Sequence, residues 1–87
     1  MKTKSDFILQ EVAGSFVIMP TGAAAVNFNG MMTVNEVGAL LWKKLSGGAT
    51  EEELVAAVLS EYDVAEDVAK RDVHAFIGEM ERAGVLE

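Results

Sequence analysis

Few residues of this chain could take part in catalysis, and their spacing argues against it. The one histidine is His74, and the chain has no cysteine, which excludes a thiolate zinc site and a cysteine nucleophile. A catalytic histidine needs a group that orients it and a nucleophile within reach. The candidate nucleophiles, none in a nucleophile-elbow context, are Ser5, Ser15, Ser46 and Ser60. We therefore expect His74 to lie half in solvent beside an apolar helix face, and the chain not to be an enzyme.

Acidic residues in the second half of the chain could bind a metal ion. The closest group is Asp63, Glu66, Asp67 and Asp72. A calcium-binding loop needs oxygen ligands at alternate positions and a central glycine, whereas Val64 and Ala65 fall at ligand positions here. Acids at this spacing are typical of a helix N-terminus and a solvated helix face. Gly47-Gly48 lacks the preceding strand and the Lys-Ser/Thr ending of a phosphate loop. No metal and no cofactor are expected.

Length and charge narrow the function classes further. The 87 residues fit one domain, 1–87, and a hydrophobic fraction of 51% is too high for a disordered chain. The net charge of −7 argues against binding to nucleic acid or to an anionic membrane, because cationic surface supplies most of that affinity. No apolar stretch is long and unbroken enough for a signal peptide or a membrane helix. We expect a cytoplasmic protein.

The charge is divided unevenly along the chain. Residues 1–46 carry four cations and three acids, and residues 47–87 carry three cations and eleven acids. The first part is therefore close to neutral and would not repel an acidic ligand. The excess acid lies in the second part, where it favours solubility.

The near-neutral first part has the pattern of β-strands. Residues 7–12 and 16–19 are rich in branched and aromatic side chains and flank a turn at 13–15, which predicts an antiparallel hairpin ended by Pro20. Residues 21–30 are ambiguous. Residues 31–34 (MMTV) predict a short third strand in which Met32 and Val34 share one face and Met31 and Thr33 the other.

The second part has helical periodicity and cap signals. Asn35 is a good N-cap for a first helix that ends at Gly47-Gly48, and Thr50 and Glu53 form a capping box for a second. A third helix runs from about residue 66 to 83; Asp63 and Glu66 have capping-box spacing for its start, and Ala65 is the alternative boundary residue. Gly84 ends it, and Val85 and Leu86 are expected to fold back onto the core.

The element order predicts an α+β domain: a three-stranded antiparallel sheet followed by three helices, resembling a small winged helix-turn-helix. Winged helices often read DNA through a cationic helix. Here the second helix (50–62) carries four acids and no cation, and the third carries more acids than cations. DNA binding is therefore disfavoured. The third strand is a better candidate, because an edge strand offers unpaired N–H and C=O groups to an added strand, and methionines adapt to varied partners.

Several segments, taken in order, resemble the PqqD family (coenzyme PQQ synthesis protein D), whose members are also called recognition elements for ribosomally made, modified peptides. The resembling segments are NGMMTVNE (29–36), GALLW (38–42), GATEEEL (48–54), YDV (62–64), DVHAF (72–76) and AGVL (83–86). The resemblance spans residues 7–87. Val34 stands where the family usually has leucine, and residues 21–29 make the approach to the third strand longer than in the shortest members.

The resemblance implies a peptide-binding adaptor without a cofactor. Such a domain holds the leader of a precursor peptide as an extra strand on the third strand, beside the third helix. It presents the leader to a modifying enzyme, commonly a radical SAM protein. The ends of the chain suit the form that occurs as a separate protein, as a monomer or weak homodimer.

The groove that the resemblance implies has one wall from the third strand and one from the third helix. The predicted peptide-binding residues are Gly30, Met31, Met32, Thr33, Val34, Val68, Arg71, Asp72, Ala75, Phe76 and Glu79. The opposite flank of the helix, with Lys70, His74 and Glu81, is the alternative wall. Two other functions stay open at this point: a winged-helix transcription regulator, and a small enzyme subunit completed by another chain.

Overall fold

A computed structural model describes residues 1–22, 25 and 31–87 of the chain. The sheet consists of β1 (Phe7–Val12), β2 (Ser15–Pro20) and β3 (Met32–Val34). The helices that follow are α1 (Glu36–Ser46), α2 (Glu51–Glu61) and α3 (Glu66–Ala83). A three-stranded antiparallel sheet followed by three helices confirms the predicted α+β class. Gly30 and most of the ambiguous segment before β3 lie outside the described residues.

The β1–β2 hairpin closes through a two-residue turn. Val12 pairs with Ser15, and both turn residues have positive φ, 52° at Ala13 and 82° at Gly14. Two such residues give the turn whose twist matches that of the strands. Strand β2 is longer than predicted and includes Pro20. Proline has no backbone N–H to donate to a neighbouring strand, and it is tolerated here because it is the last residue of the strand.

The sheet buries one face against the helices. Leu9, Ile18 and Met32 are cross-strand neighbours on this face, where Ile18 is 1% exposed and the other two pack against the core. Met31 and Thr33 are exposed, which confirms the predicted alternation in and beside β3. Strand β3 therefore directs the side chains of one face into the core, and it is the last strand on its side of the sheet.

All three helices begin where the sequence pattern predicted, with Ala65 as the boundary of the third, and two of them have the predicted side-chain cap. The Asn35 side chain accepts a 2.8 Å hydrogen bond from the Gly38 N–H. Thr50 and Glu53 form the reciprocal capping box with bonds of 2.9 and 3.1 Å. At α3 the boundary residue is Ala65, which has no side-chain cap. A capping box from Asp63 is wrong, because Glu66 is the first helical residue rather than the third.

The core lies between the sheet face and all three helices. Its largest fully buried side chains are Ile18, Leu41, Leu45, Leu54, Met80, Val73 and Val85. Gly84, with φ 74°, ends α3 and turns Val85 into the core, as predicted. The Lys4 N–H donates to the Val85 carbonyl at 2.9 Å, so the N-terminal segment lies against the last residues and closes this end of the core.

None of the helices in the described part of the chain is both long and apolar enough to cross a membrane.

Candidate functional site

Strand β3 lies at the edge of the sheet. The strand order is β1-β2-β3, and within the described residues β3 pairs with β2 alone. No strand among the described residues occupies its other side, where backbone N–H and C=O groups can pair with a further strand. Only three residues form β3, so an added segment would make a few backbone hydrogen bonds, each contributing about 0.5–1.5 kcal/mol.

A groove opens on this side of β3, between the strand and α3. Its volume is about 350 Å³, near the lower end of the range for ligand sites. Its lining residues are Thr33, Val34, Asn35, Val37, Gly38, Leu41, Asp72, Ala75, Phe76 and Glu79. The deepest of these are apolar and belong also to the core: Leu41 is 1% exposed and Phe76 is 9% exposed. The groove thus has a rigid apolar floor.

Helix α1 forms the base of the groove because it follows β3 without a linker. Val34 ends the strand, Asn35 caps the helix, and Gly38 is already in the first turn. The cap bond holds the direction of the chain where it changes from strand to helix. Val37 and Leu41, four residues apart, therefore present one apolar row beside the strand.

The α3 wall presents an aromatic ring between two carboxylates. Asp72, Phe76 and Glu79 follow the i, i+4, i+7 spacing that places side chains in one row of a helix. Ala75 lies beside them and is exposed. The Arg71 Nε lies 3.8 Å from the Asp72 Oδ1, but both side chains are largely exposed, so the pair contributes about 0–1 kcal/mol at most.

The structure brings together six of the eleven predicted site residues at this groove: Thr33, Val34, Asp72, Ala75, Phe76 and Glu79. Four others are not among its lining residues. Met32 packs against the core, Met31 precedes β3 and is 63% exposed, Val68 lies one turn before Asp72 on the same side of α3, and Arg71 lies beside that row. Gly30, the remaining one, lies outside the described residues.

The alternative flank of α3 does not line the groove. Lys70, His74 and Glu81 are exposed and absent from its lining. Lys70 lies 3.1 Å from Glu66, and His74 lies 3.4 Å from Glu51 of α2. The His74 side chain is 80% exposed, more than the half-solvated position expected. This flank therefore belongs to the α2–α3 side of the molecule.

Four groove residues were not predicted as site residues: Asn35, Val37, Gly38 and Leu41. Val37 and Leu41 fall at the helical spacing typical of a core face, Gly38 belongs to the GALLW segment, and Asn35 is predicted as a helix cap. The sequence did contain a pattern that could have identified these residues. A helix that starts directly after an edge strand lies beside any segment that binds to that edge. No pattern of neighbouring residues in the chain predicts that α3 lies across the groove from β3.

The charged residues lining the groove, Asp72 and Glu79, are both acids. The first half of the chain is near neutral by count, but the wall contributed by α3 makes the groove negative, which runs against the expectation that an acidic ligand would not be repelled there. The described residues contain no group of three or more carboxylate or histidine side chains that could hold a metal ion.

Comparisons with known proteins agree with this architecture. The family model of coenzyme PQQ synthesis protein D (PqqD) matches residues 8–86. No curated protein sequence matches the chain significantly.

Two solved structures share the fold. One is TbiB1 in complex with the TbiA(beta) leader peptide, with a TM-score of 0.78 and 23% identity over 100% of this chain and 95% of that one. The other is a lasso peptide synthetase B1 complexed with the leader peptide, with a TM-score of 0.74 and 19% identity over 97% of this chain and 93% of that one.

Proposed function

The chain belongs to the PqqD family, and from that membership we propose that it is an adaptor that binds the leader segment of a ribosomally made precursor peptide. The leader adds as a strand to the open edge of β3, and its side chains enter the groove between β3 and α3. Strand addition of this kind takes its affinity from main-chain hydrogen bonds and its specificity from pockets beside the edge.

The observation that carries the proposal is the coincidence of the open edge with the apolar groove. The edge supplies backbone partners at Met32–Val34, and the groove begins at Thr33 and Val34 of the same strand. The two solved structures of similar fold are described as complexes with leader peptides, which supports the same role here.

The adaptor presents the leader to a separate modifying enzyme. Its described lining includes two carboxylates and the Thr33 hydroxyl but no histidine, so it offers groups that bind a peptide and no hydroxyl with an imidazole base beside it. The catalytic step therefore belongs to the partner, which we propose is a radical SAM protein or another peptide-modifying enzyme.

A role as a DNA-binding regulator is less well supported. Lys70 and Arg71, two of the three cations of α3, lie within 3.1 and 3.8 Å of carboxylates on the same helix. With five acids against these three cations, α3 carries a net negative charge, and phosphate recognition needs a basic surface.

The primary test is a titration of the protein with the fluorescently labelled precursor peptide encoded beside its gene. The full-length peptide is expected to bind, and a form lacking the leader is expected to lose that binding. Equal affinity for the two forms, or no binding by either, would overturn the proposal.

A pair of proline variants tests the mode of binding. Successive residues of an antiparallel strand direct their N–H groups alternately to its two sides, so one of Met32 and Thr33 faces β2 and the other faces outward. Of Met32→Pro and Thr33→Pro, one should lower the free energy of unfolding through loss of a β2–β3 bond. The other should weaken leader binding at nearly the stability of the alanine variant of the same residue, which accounts for any loss of side-chain packing. Unchanged affinity in both variants would rule out strand addition.

A further inference from the structure

We infer that the segment bound in the groove is basic, with two Lys or Arg residues flanking an apolar or aromatic one in the order basic–x–apolar–x–basic. This inference rests on the proposed function, because it assigns the chemistry of the ligand of the same groove. It starts from the charges and the spacing of the residues on the α3 wall.

The groove has a negative rim around an apolar floor. Asp72 and Glu79 are the charged side chains among its lining residues, and both are exposed. Glu79 makes no ion pair within the described residues, and the Arg71 contact to Asp72 is a long 3.8 Å. A bound chain with cations opposite these two groups would be complementary, and one with acids there would be repelled.

The inference places the added strand along α3, and the order of the ligand side chains then follows from the spacing of helix and strand residues. Asp72 and Glu79 are two turns apart, about 10.5 Å along α3, with Phe76 between them in the same row. Side chains on one face of an extended chain recur every second residue, so residues i and i+4 are about 13 Å apart. Long flexible Lys or Arg side chains cover the difference of about 3 Å. Residue i+2, between them, then faces Phe76 and Leu41.

The test is selection from a phage-displayed library of random 12-residue peptides on three forms of the protein. These are the wild type, Asp72→Asn/Glu79→Gln, and Asp67→Asn/Glu81→Gln. The last is a matched control, since it removes one Asp and one Glu charge from the same helix without touching a groove-lining residue. Thermal unfolding of all three forms verifies that they fold.

Wild type and control should enrich peptides with Lys and Arg at the stated spacing, and the groove variant should lose this enrichment. Synthetic copies of the selected peptides should bind the groove variant roughly 2- to 30-fold more weakly than wild type, and the control within about 2-fold. Their affinity for wild type should fall as NaCl is raised, because exposed pairs are screened.

The selected peptides could instead show no excess of basic residues and still lose binding to the β3 proline variant that removes the outward N–H. That result would overturn the charge inference and leave the proposed function standing. A library that yields no binder to wild type would count against both.

Discussion

Gly38 and Val34 approach so closely that a Cβ on Gly38 would lie 2.8 Å from the Val34 Cβ. Such a Cβ would also lie 3.2 Å from the Phe76 Cε1. Strand β3, the first turn of α1 and the middle of α3 therefore meet at a residue with no side chain. This contact sets the distance between the two walls of the groove, and it gives a physical reason for glycine at the start of the GALLW segment.

Replacing Gly38 with alanine should force these three elements apart. The Val34 Cβ is tied to the strand backbone and cannot rotate away, so we expect the free energy of unfolding to fall by about 1–3 kcal/mol in urea titrations. Leader affinity should fall as well, because the groove walls move.

Gly78→Ala is the matched control, since Gly78 is also inside a helix. Its added Cβ would meet only the end of the flexible Arg82 side chain, at 3.3 Å. Alanine is the better helix former by about 1 kcal/mol, so the control should be as stable as wild type or more so. Equal stability of the two variants would show that the close contact at Gly38 does not prevent the addition of a Cβ.

Filling the groove should block the leader without unfolding the protein. Ala75 lines the groove and is exposed, so Ala75→Leu adds volume there with little strain in the core. We expect at least a 10-fold loss of affinity in an anisotropy titration with the labelled precursor peptide. His74→Leu places the same side chain on the other flank of α3 and should leave affinity within about 2-fold. The reverse ranking would assign the peptide to the flank with Lys70 and Glu81.

Met31, which precedes β3, and Met32, its first residue, should respond differently to substitution by serine. Met32 packs against the core, so Met32→Ser should lower the free energy of unfolding by about 2 kcal/mol. Met31 is 63% exposed, and Met31→Ser should change it by less than about 0.5 kcal/mol. Similar losses in thermal or urea unfolding would mean that Met31 is covered in solution.

The start of α3 offers a stabilising substitution. Ala65 is the N-cap and makes no side-chain bond, so Ala65→Ser should raise the free energy of unfolding by about 1 kcal/mol through a bond to an open N–H of the first turn. Ala56→Ser, at an exposed position inside α2, should be neutral or slightly destabilising. A gain at Ala56 equal to that at Ala65 would contradict a capping effect.

Features that depend on near neighbours in the chain were predictable. The hairpin turn between Val12 and Ser15, the Asn35 cap, the Thr50–Glu53 capping box and the αL stop at Gly84 each depend on interactions within about four residues. The inward position of Met32 and the outward position of Thr33 follow from strand alternation. At the start of α3 the sequence allowed two N-cap residues, Asp63 and Ala65, and in the structure the N-cap is Ala65.

The sequence by itself determined that a short third strand precedes a capped helix and that an amphipathic helix follows later, whereas the strand order in the structure places that strand at the edge. Only the tertiary structure decided that the Asp72–Phe76–Glu79 row, and not the flank of Lys70 and His74, faces that strand. The reason is physical. Both flanks border the same apolar stripe of α3, and the rotation of the helix depends on how that stripe packs against α1, α2 and the sheet. Those contacts join residues far apart in the chain, as at Gly38 and Phe76, and no local pattern encodes them.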